Sequence, residues 1–280
     1  MNKNLLKMAK AHADHLVDDI KKSDGKMRRE VLEERAEEIY RAIEKEIGTN
    51  DGLFYMTHEK DRFITVSSAL MGVFSRVLAV NDESEDIYNV INVEIGKKKW
   101  LYNYGKTEYG NKLMAKATSS NASMVILSKM LGKDEGAEKI YKRIGRMIGT
   151  EDCLYRDSRS SESNHLGPNA LMGIAAKLLG KDDDAQTLYE KITERFEKST
   201  GLYDDGWGME TYGNASMAVF LKLMGKENEA EKIAENLEEH MLNGTLFSED
   251  KALGDPVTHS NALMGIYYCL KAGKKLTLAL

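Results

Sequence analysis

Cysteine and proline are scarce in this sequence. It has two of each among 280 residues, and no cysteines and histidines with the spacing of a zinc site. Cys153 and Cys269 lie far apart along the chain, so we expect two reduced thiols, with a disulfide between them as the alternative. Phosphate-binding loops and Gly-x-Ser-x-Gly motifs are absent as well. We therefore predict that the protein uses neither a metal nor another cofactor.

Long apolar runs and an excess of one charge are also missing. No segment approaches the roughly 18 consecutive apolar residues that cross a membrane, and residues 1–18 lack the apolar core of a signal peptide. The net charge is −5, and the charged residues, 30% of the chain, are mixed in sign, which argues against a basic stripe for nucleic acid. We expect a cytoplasmic protein with no nucleic-acid or membrane partner, and the oligomeric state stays open.

The sequence does contain a repeat of nearly 50 residues. A block of Asn-Ala-(Leu/Ser)-Met recurs with its asparagine at Asn121, Asn169, Asn214 and Asn261, and Ser68 opens a similar block one repeat earlier. A leucine followed by an aromatic residue precedes each block. A period of this length, built from helices, predicts a repeat architecture. The Leu-aromatic pairs are Leu53-Phe54, Leu101-Tyr102, Leu154-Tyr155, Leu202-Tyr203 and Leu246-Phe247.

Each repeat predicts a hairpin of two helices. The first helix is apolar nearly all round, as at 170–179, and must be buried on every side, whereas the second is half charged, as at 184–196, and lies outside. Six inner and five outer helices predict a single all-α domain over residues 1–280. We expect an (α/α) toroid whose inner helices close into a ring, with an open solenoid as the alternative. The inner helices are expected near 4–22, 65–80, 119–132, 167–180, 212–225 and 258–272.

The long connections of this toroid all emerge at one end, because each joins an outer helix to the next inner helix. Loops carried on a rigid scaffold are the usual place for a functional site. We call this end of the ring the mouth, and its connections lie near 49–64, 97–118, 150–166, 200–212 and 244–258.

Carboxylates, histidines and aromatic rings are concentrated in the mouth connections. Aromatic rings stack on the C–H faces of sugars, while acids bind hydroxyls and serve as general acid and base. The candidate catalytic residues are Asp204, Asp205, Glu210, His165 and His259. The candidate substrate-binding residues are Trp207, Tyr203, Tyr155, Asp157, Trp100, Tyr104 and Asp250.

Structural roles compete with these assignments. Asp204 and Asp205 lie in an Asp-Asp-Gly stretch that is typical of a solvated turn. The repeated asparagines are more typical of helix caps than of ligand contacts, because Asn is favoured at the start of a helix. His165 and His259 fit either proton transfer near neutral pH or hydrogen bonding at a helix start.

The repeat resembles that of the (α/α)-toroid superfamily of six-hairpin glycosidases, and it is similar to the N-acylglucosamine 2-epimerases. The likeness rests on the Leu-aromatic pair, the Asn-Ala-(Leu/Ser)-Met block and the Leu-Gly-Lys that follows it, and it covers residues 50–273. It implies an active site at the mouth of the inner barrel, and either hydrolysis of a glycosidic bond or epimerisation of an N-acetylated sugar.

We therefore predict an enzyme that acts on a sugar or oligosaccharide and is similar to a glycoside hydrolase. The alternatives are a sugar epimerase that uses His165 and His259, a non-catalytic binding or scaffold protein, and an enzyme with an isoprenoid-type cavity. The mouth loops lack an Asp-rich motif, which argues against the last of these. A hydrolase requires two carboxylates about 5–10 Å apart in an open polar cavity. An epimerase requires two histidines that face each other. A scaffold protein is expected to have a filled or shallow mouth.

Overall fold

The structure is a computed structural model in which helices make up most of the chain. It describes residues 25–79, 83–158, 160–161, 163–199, 201–204, 210–249 and 255–276.

Ten helices lie in this described part of the chain, and they alternate between an outer and an inner layer. The outer helices are α1 (residues 25–42, continued by a π-helical turn, Ile43–Ile47), α3 (Ser84–Val90, continued by a π-helical turn, Ile91–Ile95), α5 (Asp134–Met147), α7 (Asp182–Arg195) and α9 (Glu227–Met241). The inner helices are α2 (Thr65–Leu78), α4 (Thr118–Met130), α6 (Leu166–Leu178), α8 (Thr211–Leu223) and α10 (Thr258–Lys271). None of the helices in the described ranges is long and apolar enough to cross a lipid bilayer.

The inner helices form a closed ring, so the predicted toroid is confirmed. α2 packs on α4, α4 on α6, α6 on α8, α8 on α10, and α10 returns to α2. This direct contact between the first and last members closes a ring of five inner helices within the described residues. The segment 4–22, expected as a further inner helix, lies outside the described residues.

Helix α1 covers the last inner helix, which has no outer helix after it in the described chain. The Tyr40 ring of α1 meets Phe74 of α2 edge to face at 5.4 Å. Arg28 forms an ion pair with Glu231 of α9 at 3.0 Å. Because α1 lies against elements from both chain ends, it completes an outer layer of five helices around the five inner ones.

Short antiparallel β-hairpins, which the sequence analysis missed, begin each mouth connection. They are β1 with β2 (Thr49–Asn50, Leu53–Phe54), β4 with β5 (Lys97–Lys98, Leu101–Tyr102), β8 with β9 (Thr150–Glu151, Leu154–Tyr155), β10 with β11 (Glu197–Ser199, Leu202–Asp204) and β12 with β13 (Leu242–Asn243, Leu246–Phe247). A separate three-stranded sheet joins β3 (Arg62–Ile64), β6 (Gly105–Thr107) and β7 (Lys112–Leu113). Every Leu-aromatic pair of the repeat lies in the second strand of one of the hairpins.

Both cysteines are free thiols in the folded chain, as expected. Cys153 is exposed in the turn between β8 and β9, whereas Cys269 is buried in α10. Burial raises the pKa of the Cys269 thiol to about 12, so it stays protonated at neutral pH.

Candidate functional site at the mouth

The repeated asparagine fastens each hairpin to its inner helix. Asn261 accepts a hydrogen bond from the Phe247 N–H at 2.7 Å and donates to the Phe247 and Val257 carbonyls, both at 2.9 Å. The side chains of Asn121, Asn169 and Asn214 make the same three contacts in their own repeats. All four are completely buried. The asparagines are therefore architectural, located in the first turn of the inner helix, and do not line the mouth.

A threonine at the start of four inner helices binds the mouth loop of a neighbouring repeat. Thr258 donates through its N–H to the Met56 carbonyl at 3.0 Å and through its hydroxyl to the Tyr55 carbonyl at 2.7 Å. Thr65, Thr118 and Thr211 bind the matching carbonyl pairs of the next repeats in the same way. The residue that accepts the threonine N–H is three positions after the leucine of each Leu-aromatic pair. We call these the rim positions: Met56, Tyr104, Asp157 and Glu249, with Asp205 at the matching place in the sequence.

Tyr212, which the sequence analysis did not single out, lies at the centre of the mouth. Its ring packs against Gly167 of α6, where a Cβ atom would overlap it, and lies edge to face with His259 of α10 at 4.7 Å. Its hydroxyl faces Ser119 of α4. A side chain from α8 that reaches three other inner helices must lie near the ring axis. Tyr212 is half-buried, so we place it at the floor of the mouth.

His259 is buried beside Tyr212, and its surroundings contradict the predicted catalytic role. Its Nδ1 lies 3.2 Å from the Ser67 hydroxyl, and only 7% of the residue is exposed. Burial lowers the pKa of His259 from 6.5 to about 3, so the ring is neutral imidazole at neutral pH and is not available as an imidazolium acid. His165 precedes α6, and Tyr212 packs between that helix and His259. This arrangement does not match the paired histidines of the epimerase alternative.

His165 and Asp157 are in side-chain contact on the rim, so the structure brings these two predicted residues together. The His165 Nε2 atom lies 3.2 Å from Asp157 Oδ2, and the His165 N–H donates to Asp157 Oδ1 at 3.2 Å. The side chains are 24% and 28% exposed, respectively. An imidazole and a carboxylate that touch each other and solvent can exchange a proton with a bound molecule.

Glu249 is a second rim carboxylate, and the sequence analysis missed it in favour of its neighbour Asp250. Glu249 Oε1 accepts the Tyr212 N–H at 3.3 Å, and Oε2 accepts the Ser260 hydroxyl. The carboxylate is thus held at the start of α8, where the helix dipole favours negative charge. The repeat carried the signal that could have found it, because Asp157, Asp205 and Glu249 share one register.

Three predicted substrate-binding residues lie away from the mouth, which corrects those assignments. Tyr155 lies beside Tyr141, whose hydroxyl donates to Asp184 of α7 at 3.1 Å. Tyr203 is 2% exposed and faces the outer helices α7 and α9. Trp100 lies in the turn of its hairpin, 4.7 Å from the ammonium group of Lys139. These rings join hairpins to outer helices and are not placed to stack on a ligand in the mouth.

The remaining predicted residues divide between the rim and the part of the chain outside the described residues. Tyr104 is half-buried at a rim position near Tyr212. Glu210 precedes α8, and its carbonyl accepts the Asn214 side chain at 3.0 Å. Asp204 is half-buried at the end of β11. Asp205, Trp207 and Asp250 lie outside the described residues. In the described ranges, no three acidic, histidine or cysteine side chains cluster closely enough to hold a metal ion.

Solved structures of toroid enzymes are similar to this chain, whereas no protein-family model and no curated protein sequence matches it. An α-1,6-mannanase of glycoside hydrolase family 76 from a Salegentibacter species is 14% identical, and the match covers 86% of this chain and 99% of that one with a TM-score of 0.53. A family 76 α-mannanase from Bacteroides thetaiotaomicron is 12% identical over 88% of this chain and 84% of its own, with a TM-score of 0.59. An α-amylase from Clostridium perfringens is 12% identical over 87% and 98%, with a TM-score of 0.56. The chain therefore has the (α/α) toroid fold, and identities this low show the fold alone.

Proposed function

We propose that this protein is an enzyme similar to glycoside hydrolases, with its active site at the mouth. The observation that supports this best is the acid at the rim positions of three consecutive repeats, Asp157, Asp205 and Glu249. The described members, Asp157 and Glu249, both lie close enough to Tyr212 for their charges to raise the pKa of its hydroxyl. Glycoside hydrolysis needs two carboxyl groups on opposite sides of the scissile bond, and acids spaced around a ring can supply them.

Asp204 and Asp205 are our candidates for the catalytic acid and base. They are the one Asp-Asp pair on a mouth connection. In the Salegentibacter α-1,6-mannanase, variants with two consecutive aspartates replaced by asparagine or alanine are described as inactive, and they bind α-1,6-mannotriose or α-1,6-mannotetrose. By this analogy, the substrate is an α-linked oligosaccharide. The cytoplasmic location stays a prediction.

A non-catalytic binding or scaffold role is the second candidate, and Tyr212 is the observation that favours it. Its ring occupies the axis and makes the mouth shallow, as a scaffold requires. The epimerase alternative finds no such support, because His259 is buried and hydrogen-bonded to Ser67.

Turnover of a panel of oligosaccharides separates these candidates. Purified protein is incubated with α-1,6-mannotriose, maltotriose, unsaturated uronides and N-acetylhexosamines, and products are read by mass spectrometry and NMR. Asp205→Asn should slow hydrolysis at least about 100-fold. Asp183→Asn is the matched control, because Asp183 is exposed in the first turn of α7, at the opposite end of the toroid. If no sugar is turned over and none shifts the melting temperature, the enzyme is contradicted and the non-catalytic scaffold role is favoured.

A further inference from the structure

One of the five mouth connections differs from the others in charge. The connection at 97–118 has six lysines and one acid, Glu108, whereas each of the other four has more acidic than basic residues. The whole chain has a net charge of −5, so this excess of positive charge is local. A local excess of positive charge attracts anions. The 97–118 connection is therefore the part of the mouth that favours an anionic group.

Two of these lysines, Lys98 and Lys116, lie close to each other, and we call them the lysine pair. Lys98 is exposed in β4, and Lys116 is half-buried just before α4. Burial and the charge of Lys98 lower the pKa of the Lys116 ammonium group. Neither lysine forms an ion pair with an acid of the described ranges. An anion bound to both would offset the repulsion between them and the desolvation of Lys116.

Asn103 holds the side chain of Lys116 in place. Lys116 Nζ donates to Asn103 Oδ1, and the Asn103 amide donates to the Ile95 carbonyl at 2.8 Å. Asn103 is only 5% exposed, so its amide group is fixed. An ammonium group carries three donors, and the bond to Asn103 uses one of them. Because the amide oxygen is neutral, this bond orients the ammonium group without compensating its charge.

The lysine pair borders the rim of the candidate active site. Lys116 precedes Thr118 by two residues, and the Thr118 N–H donates to the carbonyl of the rim residue Asp157 at 2.7 Å. Asn103, which holds Lys116, is followed directly by the rim residue Tyr104. A glycan whose scissile bond lies at the mouth can therefore present a substituent to the lysine pair.

We propose that the lysine pair binds an anionic substituent, a carboxylate or a phosphate, of the glycan that occupies the mouth. This inference rests on the proposed function and narrows its substrate to acidic oligosaccharides. The acids on the other four connections repel such a substituent. The lysine pair therefore also sets the direction in which the glycan lies across the mouth.

The test is a titration of the Asp205→Asn variant with acidic and neutral sugars, followed by NMR. Trigalacturonic acid and mannose 6-phosphate distinguish a carboxylate from a phosphate, and maltotriose and mannose are their neutral counterparts. At least one acidic probe should bind about tenfold more tightly than its neutral counterpart. This difference should shrink at high salt, because dissolved ions screen the charges.

Variants of the lysine pair assign the binding to these two residues. Lys98→Met with Lys116→Met, added to the Asp205→Asn background, should raise the Kd of the acidic probe about tenfold. Lys116→Arg keeps the charge and should bind the probe more tightly than Lys116→Met. Lys232→Met is the matched control, because Lys232 is exposed on α9 and its loss changes the net charge equally. The control should leave Kd unchanged.

Equal Kd values for the acidic and neutral probes, or an unchanged Kd in the double lysine variant, would overturn the inference. Binding of single-stranded DNA through the lysine pair, without binding of either acidic sugar, would overturn it as well. Turnover by the unmodified protein is a separate readout. If an acidic probe binds through the lysine pair and no glycan is cleaved, the lysine pair stands and the proposed enzyme does not. If glycans are cleaved and the lysine variants bind as before, only the lysine pair is contradicted.

Discussion

The repeated asparagine works through an amide group that offers one acceptor and two donors. Asn261 uses all of them on backbone groups of Phe247 and Val257 in a place without solvent. Backbone groups buried without a partner are strongly unfavourable. The side chain therefore replaces the water that would otherwise satisfy the end of the hairpin.

Asn261→Ala should lower the free energy of unfolding by about 2–4 kcal/mol, because it leaves buried backbone groups unpaired. Asn236→Ala is the matched control: its amide donates to the carbonyl of Lys232 on the exposed face of α9. The control should change stability by less than about 0.5 kcal/mol. Urea denaturation measures both, and equal losses would contradict the architectural role of the repeated asparagine.

His259 makes the stability of the toroid depend on pH. Burial lowers its pKa from 6.5 to about 3, so the unfolded chain takes up a proton below pH 6.5 while the folded chain does not. The unfolded state binds more protons between these two values, and stability is lost as the pH falls through this window. At roughly pH 5 the loss due to this residue is about 2 kcal/mol.

Denaturation at about pH 7.5 and pH 5 checks this dependence. The unmodified protein should lose about 2 kcal/mol more on acidification than the His259→Gln variant, which cannot titrate at this position. The same loss in both proteins would mean that other groups cause the pH dependence.

Which residue types belong to the site could be predicted, but not which way each one faces. Asp157 and His165 were chosen from sequence, and the structure brings them into contact. Tyr203 was chosen on the same grounds, yet it faces α7 and α9. That difference is set by contacts with other repeats, which local composition does not reveal.

At the level of secondary-structure elements, glycine allows neighbouring inner helices to approach each other. A Cβ at Gly265 of α10 would overlap the Phe74 ring of α2, and a Cβ at Gly173 of α6 would overlap the Phe220 ring of α8. Each ring fills the junction between two inner helices. These glycines are therefore needed for the helices to pack. Their only cost is the lower intrinsic helix propensity of glycine.

Gly265→Ala should destabilise the protein by about 1–3 kcal/mol, because the added methyl group displaces the Phe74 ring. Gly136→Ala in α5 is the control, since no atom lies within 4 Å of a Cβ built there. The control should stabilise the protein by up to about 1 kcal/mol. Thermal unfolding compares the two variants, and stabilisation by both would show that the junction is loosely packed.

The helices were predictable and the hairpins were not, for physical reasons. Apolar periodicity, with a glycine after four of the five inner helices in the described chain, marks an element of about 14 residues. A strand of two residues has no period to detect. Of the hairpin turns, Asp51-Gly52 carries the usual Asp-Gly signature of a left-handed turn, whereas Trp100 and Cys153 adopt the same positive φ without it.

At the level of the whole molecule, closure depends on contacts between the two ends of the chain. The hydroxyl of Thr258 binds the Tyr55 carbonyl, Lys274 binds the Leu78 carbonyl at 2.8 Å, and α10 packs along α2. The number of inner helices in the ring follows from these long-range contacts. A count of repeats along the sequence could predict a toroid, but it could not predict where the ring closes.

The closed ring brings acids from separate repeats to one end, and this is the basis of the proposed enzyme. Asp157 and Glu249 are 92 residues apart in the sequence, yet both lie close enough to Tyr212 for their charges to raise the pKa of its hydroxyl. In an incomplete ring or an open solenoid, the two carboxylates would lie farther apart. The catalytic claim therefore depends on the ring as well as on the individual carboxylates.

The rate of oligosaccharide hydrolysis by the unmodified protein and by an Asp204→Asn/Asp205→Asn double variant tests this claim most directly. The variant should keep the melting temperature of the unmodified protein and lose at least about 100-fold in kcat/KM. Equal rates in the two proteins, or no hydrolysis of any α-linked oligosaccharide by the unmodified protein, would contradict it.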